Sequence, residues 1–127
     1  MNKSHGPREL AKDILGRSLC LVQMGAVISD NKGRIISWGW NHPYDKGSYE
    51  TATIHAEEHA IMRANQGRLL RGKITITVAG KWGKNGNIAC AKPCTGRCMP
   101  LAKKYGIDII EYQEKDGTWT RIKLGYS

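Results

Sequence analysis

The sequence predicts an α/β layered domain in which helices pack on a five-stranded sheet. Three observations predict it. Stretches with helical apolar spacing alternate with strand-type runs in the order α-β-β-α-β-α-β-β. Gly, Pro, Asn and Asp punctuate the joins. The chain closes on two strand-type runs around Lys115-Asp116-Gly117, a hairpin signal. Residues 1–127 are expected to form one domain, long enough for a sizeable core and too short for two.

Pro7 opens the first helix, "RELAKDILG", with Leu10, Ile14 and Leu15 on one face and Gly16 as its stop. "CLVQMGAVIS" (Cys20–Ser29) is an apolar strand, "DNKG" (Asp30–Gly33) a turn, and "RIISWGWN" (Arg34–Asn41) an antiparallel second strand. Trp38 and Trp40 are expected to pack beneath a helix rather than to stack bases. A polar loop follows from His42 to Glu50. A helix over about Thr53–Asn65 carries Ala56, Ala60 and Ile61 and ends at Gly67. "KITITVA" (Lys73–Ala79) alternates as the third strand, and Gly80–Lys92 reads as a long loop. Pro93 opens a helix from Cys94 to about Tyr105, stopped by Gly106. "IDIIEYQ" and "TWTRIKL" make the closing hairpin.

Composition excludes several classes. No apolar run approaches membrane-spanning length, and Met1–Lys12 is polar instead of leader-like, so a cytoplasmic protein without membrane association is expected. Cys20, Cys90, Cys94 and Cys98 then read as reduced thiols or metal ligands, not a disulfide framework. Charge is uneven: residues 1–62 hold seven basic and seven acidic side chains, residues 63–127 thirteen and four, so the +9 lies in the second half. That implies either an anionic partner or a solvated basic surface.

"TATIHAEEHAIM" (Thr51–Met62) offers two metal-site registers. His55, Glu58 and His59 spell H-x-x-E-H, an inverted zincin helix, which needs a further ligand and leaves "PCTGRC" unexplained. His55 and Glu57 spell H-x-E. With Cys94 and Cys98 this set gives three ligands and the open fourth position of a catalytic zinc, with Glu57 within reach of water. Cys94 and Cys98 are expected on one face at the start of a helix, whose N-terminus favours thiolates. Cys90 as a fourth ligand would close the site, but Pro93 separates it from the pair. Cys20 is expected in the core, His59 as a packing or surface residue, and Glu58 outside the chemistry.

"HAE" (His55–Glu57) paired with "PCTGRC" (Pro93–Cys98) resembles the cytidine/deoxycytidylate deaminase superfamily. "GAVISDNKGRIISWGWNHP" (Gly25–Pro43) is similar to the strand-turn-strand of its tRNA adenosine and deoxycytidylate members. The likeness spans about Gly25–Ala60 and Pro93–Ile110. It implies a cytidine deaminase-like three-layer α/β/α domain, with a mixed five-stranded sheet and a C-terminal hairpin. It also implies a Zn2+-dependent hydrolase of the cytidine/deoxycytidine aminohydrolase type. In such an enzyme zinc activates water and Glu57 carries protons. Asn41 and the backbone of Ala56 would bind the base or sugar.

Subfamily features are mixed. Pro43 stands where free cytidine deaminases carry a ribose-binding Glu, and "NHP" is closer to the tRNA adenosine type. Three residues separate Cys94 from Cys98 instead of two. Only seventeen residues follow Ile110, and the hairpin ending resembles the cytidine and blasticidin deaminase branch. The substrate expected is therefore a free pyrimidine nucleoside or nucleotide. The alternative is cytosine or adenine in single-stranded DNA or RNA, and further copies of the chain are expected as partners in a homo-oligomer. The loop Gly80–Lys92, with three lysines and Trp82, reads as a basic cover over the site with Trp82 against the substrate, or as a solvated loop anchored by Trp82.

Overall fold

The computed structural model describes residues 6–43 and 53–124. Its five-stranded sheet runs in the order β2 (Ile35–Trp40), β1 (Val22–Ser29), β5 (Ile74–Trp82), β6 (Ile107–Gln113), β7 (Trp119–Lys123). Only β5 and β6 pair in parallel, joined through α4 (Cys98–Lys104); the other neighbours are antiparallel, and β6–β7 is the expected closing hairpin. Helix α1 (Pro7–Ile14) covers one sheet face, while α2 (Ala56–Arg63) and α4 cover the other. The predicted three-layer α/β/α arrangement is thus the observed one.

Strand alternation builds these layers. Ala26 and Ile28 of β1, Ile74, Ile76 and Val78 of β5, and Ile107 and Ile110 of β6 join Ala60, Ile61 and Ala102 in the larger core. Val27 and Ala79 face the other way, toward Ala11 and Leu15, with Trp38 packed against them. Burial on both faces explains why β1 reads as a nearly continuous apolar run.

Two glycines set how closely the helices approach. A Cβ on Gly25 would lie 2.6 Å from the Leu15 nitrogen, and one on Gly39 would lie 2.5 Å from the Ala60 nitrogen and 2.8 Å from the Ala56 oxygen. The Ser37 hydroxyl donates to the Ala60 carbonyl at 2.5 Å, pinning α2 to β2 beside that contact. Gly39→Ala is expected to cost about 3 kcal/mol, because backbone rather than a flexible side chain must yield. A lowered urea midpoint with an unchanged slope would show it.

Boundaries depart from the expected ones in four places. Helix α2 begins at Ala56, because Thr53–Ile54 (β4) pairs as a short strand with His42–Pro43 (β3). It stops at Arg63, and Asn65 then caps a separate helix, α3 (Gln66–Leu70), by accepting from the Arg68 N–H at 3.2 Å; Gly67 lies inside α3 instead of ending α2. Strand β5 extends to Trp82 because β1 pairs with it along its whole length, Val22 opposite Trp82. A tight turn follows, with Trp82 N–H donating to Asn87 O and Gly86 N–H to Trp82 O, both at 2.8 Å. Finally, α4 begins at Cys98, after a turn through Thr95–Arg97. Most of the polar loop read from His42 to Glu50, residues 44–50, lies outside the described residues. No helix among the described residues is long and apolar enough to cross a membrane.

Candidate metal and catalytic site

The site lies where the start of α2, the segment before α4 and the first residues of β1 meet. His55 is not in a helical turn, as the spacing suggested, but caps α2 with extended backbone (φ −76°, ψ 154°). Cys94 precedes the turn and Cys98 is the first residue of α4, so they meet across a turn rather than on one helical face. Non-helical backbone at Arg97 (φ −134°, ψ −56°) keeps the helix from reaching back to Cys94. The Cys98 N–H donates to the Cys94 sulfur at 3.2 Å, a contact made by the turn and not by a shared helical face.

The His55 imidazole and the Cys94 and Cys98 sulfurs offer ligand atoms that all lie within 4.8 Å of one another. His55 Nδ1 is 3.1 Å from Cys98 Sγ and 3.8 Å from Cys94 Sγ. One imidazole and two sulfurs so placed fit zinc, whose ligand set is of this kind. The inverted zincin register is not assembled: His59 Nδ1 accepts the Trp40 N–H at 3.2 Å, and its ring packs edge-on against Trp40 and His42. Cys90 is also elsewhere, exposed, with its sulfur 3.9 Å from a Glu114 oxygen. Cys20, expected in the core, is half-buried between the 3-10 turn after α1 and β1.

Glu57 is 7% exposed, and burial, helped by the charge of Glu58, pushes its carboxyl up to about 7 against the pull of its own backbone N–H and the Cys98 thiol. Burial likewise pushes the Cys98 thiol far up, with Glu57 and Cys94 adding repulsion. Both shifts come from anionic groups crowded into a dry space, and a divalent cation held by the sulfurs acts in the opposite direction on each. Burial and the Arg97 charge keep His55 below its ordinary value, as the neutral ring a metal needs.

A cavity of about 230 Å³ opens against these groups, lined by His55, Glu57 and Cys94 together with Asn41, Ala56, Val22, Met24, Ala91 and Lys92. Asn41 is also tied to β1: its Oδ1 accepts the Met24 N–H at 2.9 Å and its Nδ2 donates to Val22 O at 2.8 Å. Trp82 does not line this cavity; it is 45% exposed at the end of β5. Trp38 packs toward α1, and Arg63 stacks over both Trp38 and Trp40.

Sequence reasoning passed over the pairing of Glu58 with Arg97. Glu58 Oε2 receives the Arg97 Nε–H at 2.7 Å, and Oε1 accepts the His55 N–H at 2.8 Å. Burial opposes the charged form of Glu58, but Arg97 and the His55 N–H outweigh it and hold the carboxylate ionised. The signal was the position of Arg97 between the two cysteines, opposite the second Glu of "HAEE". The bridge ties the two motif segments together, so Glu58→Ala is expected to weaken zinc affinity roughly tenfold without removing a ligand. Competition with a chelator of known affinity reads this out.

The solved structures similar to this chain carry the same fold. Cytidine deaminase from Burkholderia pseudomallei superposes with a TM-score of 0.62 at 20% identity, covering 92% of this chain and 89% of that one. The dCMP deaminase from cyanophage S-TIM5, in complex with dCMP and dUMP, gives 0.57 at 18% identity over 84% and 77%. Cytidine deaminase from Mycobacterium leprae gives 0.55 at 21% over 90% and 88%. No curated protein sequence matches the chain. The model of the family described as "Cytidine and deoxycytidylate deaminase zinc-binding region" matches residues 9–114. With that match across most of its length, the chain belongs to the cytidine and deoxycytidylate deaminase family.

Proposed function

We propose that this protein hydrolyses the amino group from a cytosine base carried by a free nucleoside or nucleotide. The observation that carries this is the buried Glu57 lining one small cavity with His55 and Cys94, Cys98 lying directly behind. In this reading His55, Cys94 and Cys98 hold zinc, which when bound supplies the Lewis acidity that brings the pKa of water toward neutrality. Glu57, poised near neutrality, takes a proton from the attacking water, delivers it to the ring nitrogen, and helps ammonia leave as general acid. The Ala56 backbone at the start of α2 and the Asn41 amide position the base or sugar. Val22, Met24 and Ala91 give the cavity apolar wall beside these polar groups, which strengthens each electrostatic contact.

The cavity volume, about 230 Å³, is below the roughly 300–1,000 Å³ usual for drug-sized ligands. That favours a single base with its sugar. Lys92 at the wall supports a phosphate on that sugar. Lys92→Glu is then expected to raise KM for cytidine monophosphate by roughly tenfold or less, with a shallow salt dependence, and to leave cytidine turnover unchanged. Half-exposed Trp82 favours a second reading, a single-stranded substrate whose unpaired base stacks on it. Trp82→Ala would then cost roughly 1–3 kcal/mol of binding, and affinity would fall by about 0.7 log units per log salt for each phosphate contact. Steady-state kinetics on cytidine, deoxycytidine, their monophosphates and an oligonucleotide separate the two readings. Turnover confined to the oligonucleotide would overturn the first.

A further inference from the structure

Much of the basic charge sits far from the catalytic cavity. At the opposite end of β1, beyond Ser29, a cavity of about 480 Å³ is lined by Arg34, Arg68, Arg71 and Lys73, with Asp30 its only carboxylate. It adjoins a second cavity of about 910 Å³, with which it shares Asp30, Asn31 and Lys73. That one continues over the sheet face beside α1, past Lys123 and Arg121 to Arg8. Together they form one trough running across β5, β6 and β7.

The carboxylates in the trough do not cancel this charge. Asp30 lies between Arg34 at 2.8 Å and Arg68 at 3.5 Å, and Glu111 between Arg8 at 2.6 Å and Arg121 at 2.9 Å. Each acid therefore meets two guanidiniums, and each group keeps a surplus positive charge. Glu9 and Asp108 also line the trough: Glu9 lies 3.6 Å from Lys12, and Asp108 accepts the Ile74 N–H at 2.9 Å. Exposed Arg71, Lys73 and Lys123 form no ion pair among the described residues. Counting both cavities, seven cations face four carboxylates (Glu9, Asp30, Asp108 and Glu111), which leaves the trough a surplus of three positive charges.

The backbone adds an independent observation. Lys73 has φ 59°, the one non-glycine residue at positive φ among those described. Left-handed backbone is strained for a long side chain, and such strain persists where the surroundings hold it. Here it falls where the two cavities join.

We infer that this trough binds the phosphates of a nucleic-acid strand. Cations strung along joined cavities match a linear polyanion better than a compact one. From Met24 at the catalytic cavity to Ser29 at the trough, β1 advances five residues, about 17 Å at strand rise. The strand is therefore anchored there and not deaminated there. Nothing in this depends on the proposed deamination, because binding is read directly.

The test is fluorescence anisotropy of labelled single-stranded oligonucleotides of increasing length, on the full chain, with melting temperatures measured in parallel. Arg71→Glu with Lys73→Glu is expected to weaken binding by roughly tenfold or more and to reduce the salt slope by about 0.7 for each phosphate no longer neutralised. Lys103→Glu with Lys104→Glu, the same change in net charge on α4, is expected to alter affinity by about twofold or less. Lys73→Gly removes one charge and the strain together, so it is expected to weaken binding while the melting temperature holds or rises. Inorganic triphosphate is expected to compete poorly, and affinity to grow with oligonucleotide length. Absence of binding, equal losses in both double variants, or triphosphate competing as well as the longest oligonucleotide would each overturn the inference.

Discussion

Glu57→Gln is expected to lower deamination by roughly 10²–10⁴-fold while zinc content and fold are kept. The variant removes the proton carrier, no metal ligand and almost no volume. Steady-state turnover beside metal analysis of the same preparation checks it. The substitution also carries a stability signature in metal-free protein. Burial raises the Glu57 carboxyl from its ordinary value to about 7 in the fold. The folded state therefore holds the proton more tightly than the unfolded chain does. The stability linked to Glu57 is fully present below about pH 4.5 and is lost as pH rises through about 7. Glu57→Gln is thus expected to raise the melting temperature of metal-free protein at pH 8 and to change it little at pH 4. Loss of activity with loss of zinc would mean instead that Glu57 supports the metal site.

His55→Ala, Cys94→Ala and Cys98→Ala are each expected to reduce zinc from about one per chain to nearly none and to abolish turnover. The large effect follows from the donor set: three ligand atoms within 4.8 Å of one another, two of them sulfurs that must be held as thiolates. At a free zinc concentration about a thousandfold above Kd, binding stabilises the fold by about 4 kcal/mol, or roughly 15 °C for a domain of this size. Each ligand variant should lose that increment, and a chelator should remove it from the parent protein. Cys90→Ala and His59→Ala are expected to retain zinc, since neither side chain reaches the group. Zinc surviving Cys98→Ala but lost in Cys90→Ala would replace this ligand set with another.

That His55, Cys94 and Cys98 lie together was legible because such residue types at short spacings carry the signal, and the structure brings their donor atoms within 4.8 Å of one another. Their local geometry was not legible. A helix pattern running through Thr53–Asn65 hides that His55 is a cap, since the short β3–β4 pairing that sets its backbone depends on a segment distant in sequence. Cys94 and Cys98 four apart suggest one helical face, yet the turn through Gly96 and Arg97 lets the Cys98 N–H reach the Cys94 sulfur instead. The strands were more legible than the helices, because β1 and β5 send alternate side chains into the cores on the two sheet faces and so read as nearly continuous strand-type runs. The short strands β3 and β4 escaped, and so did the length of β5: Gly80 and Lys81 have little strand propensity, and cross-strand pairing with β1 overrides it. Asn41 was readable as a residue at the site, but its ties to Met24 and Val22 were not, because they depend on register.

Zinc-dependent hydrolysis of the cytosine amino group is tested most directly by one measurement. Protein stripped of metal and then restored with zinc is incubated with cytidine, deoxycytidine, their monophosphates and a single-stranded oligonucleotide, and uracil formation is followed with ammonia release. The expected result is stoichiometric uracil and ammonia from at least one free cytosine nucleoside or nucleotide, lost on stripping and regained with zinc. Protein holding about one zinc per chain that converts none of these substrates, or that is equally active without metal, would contradict it.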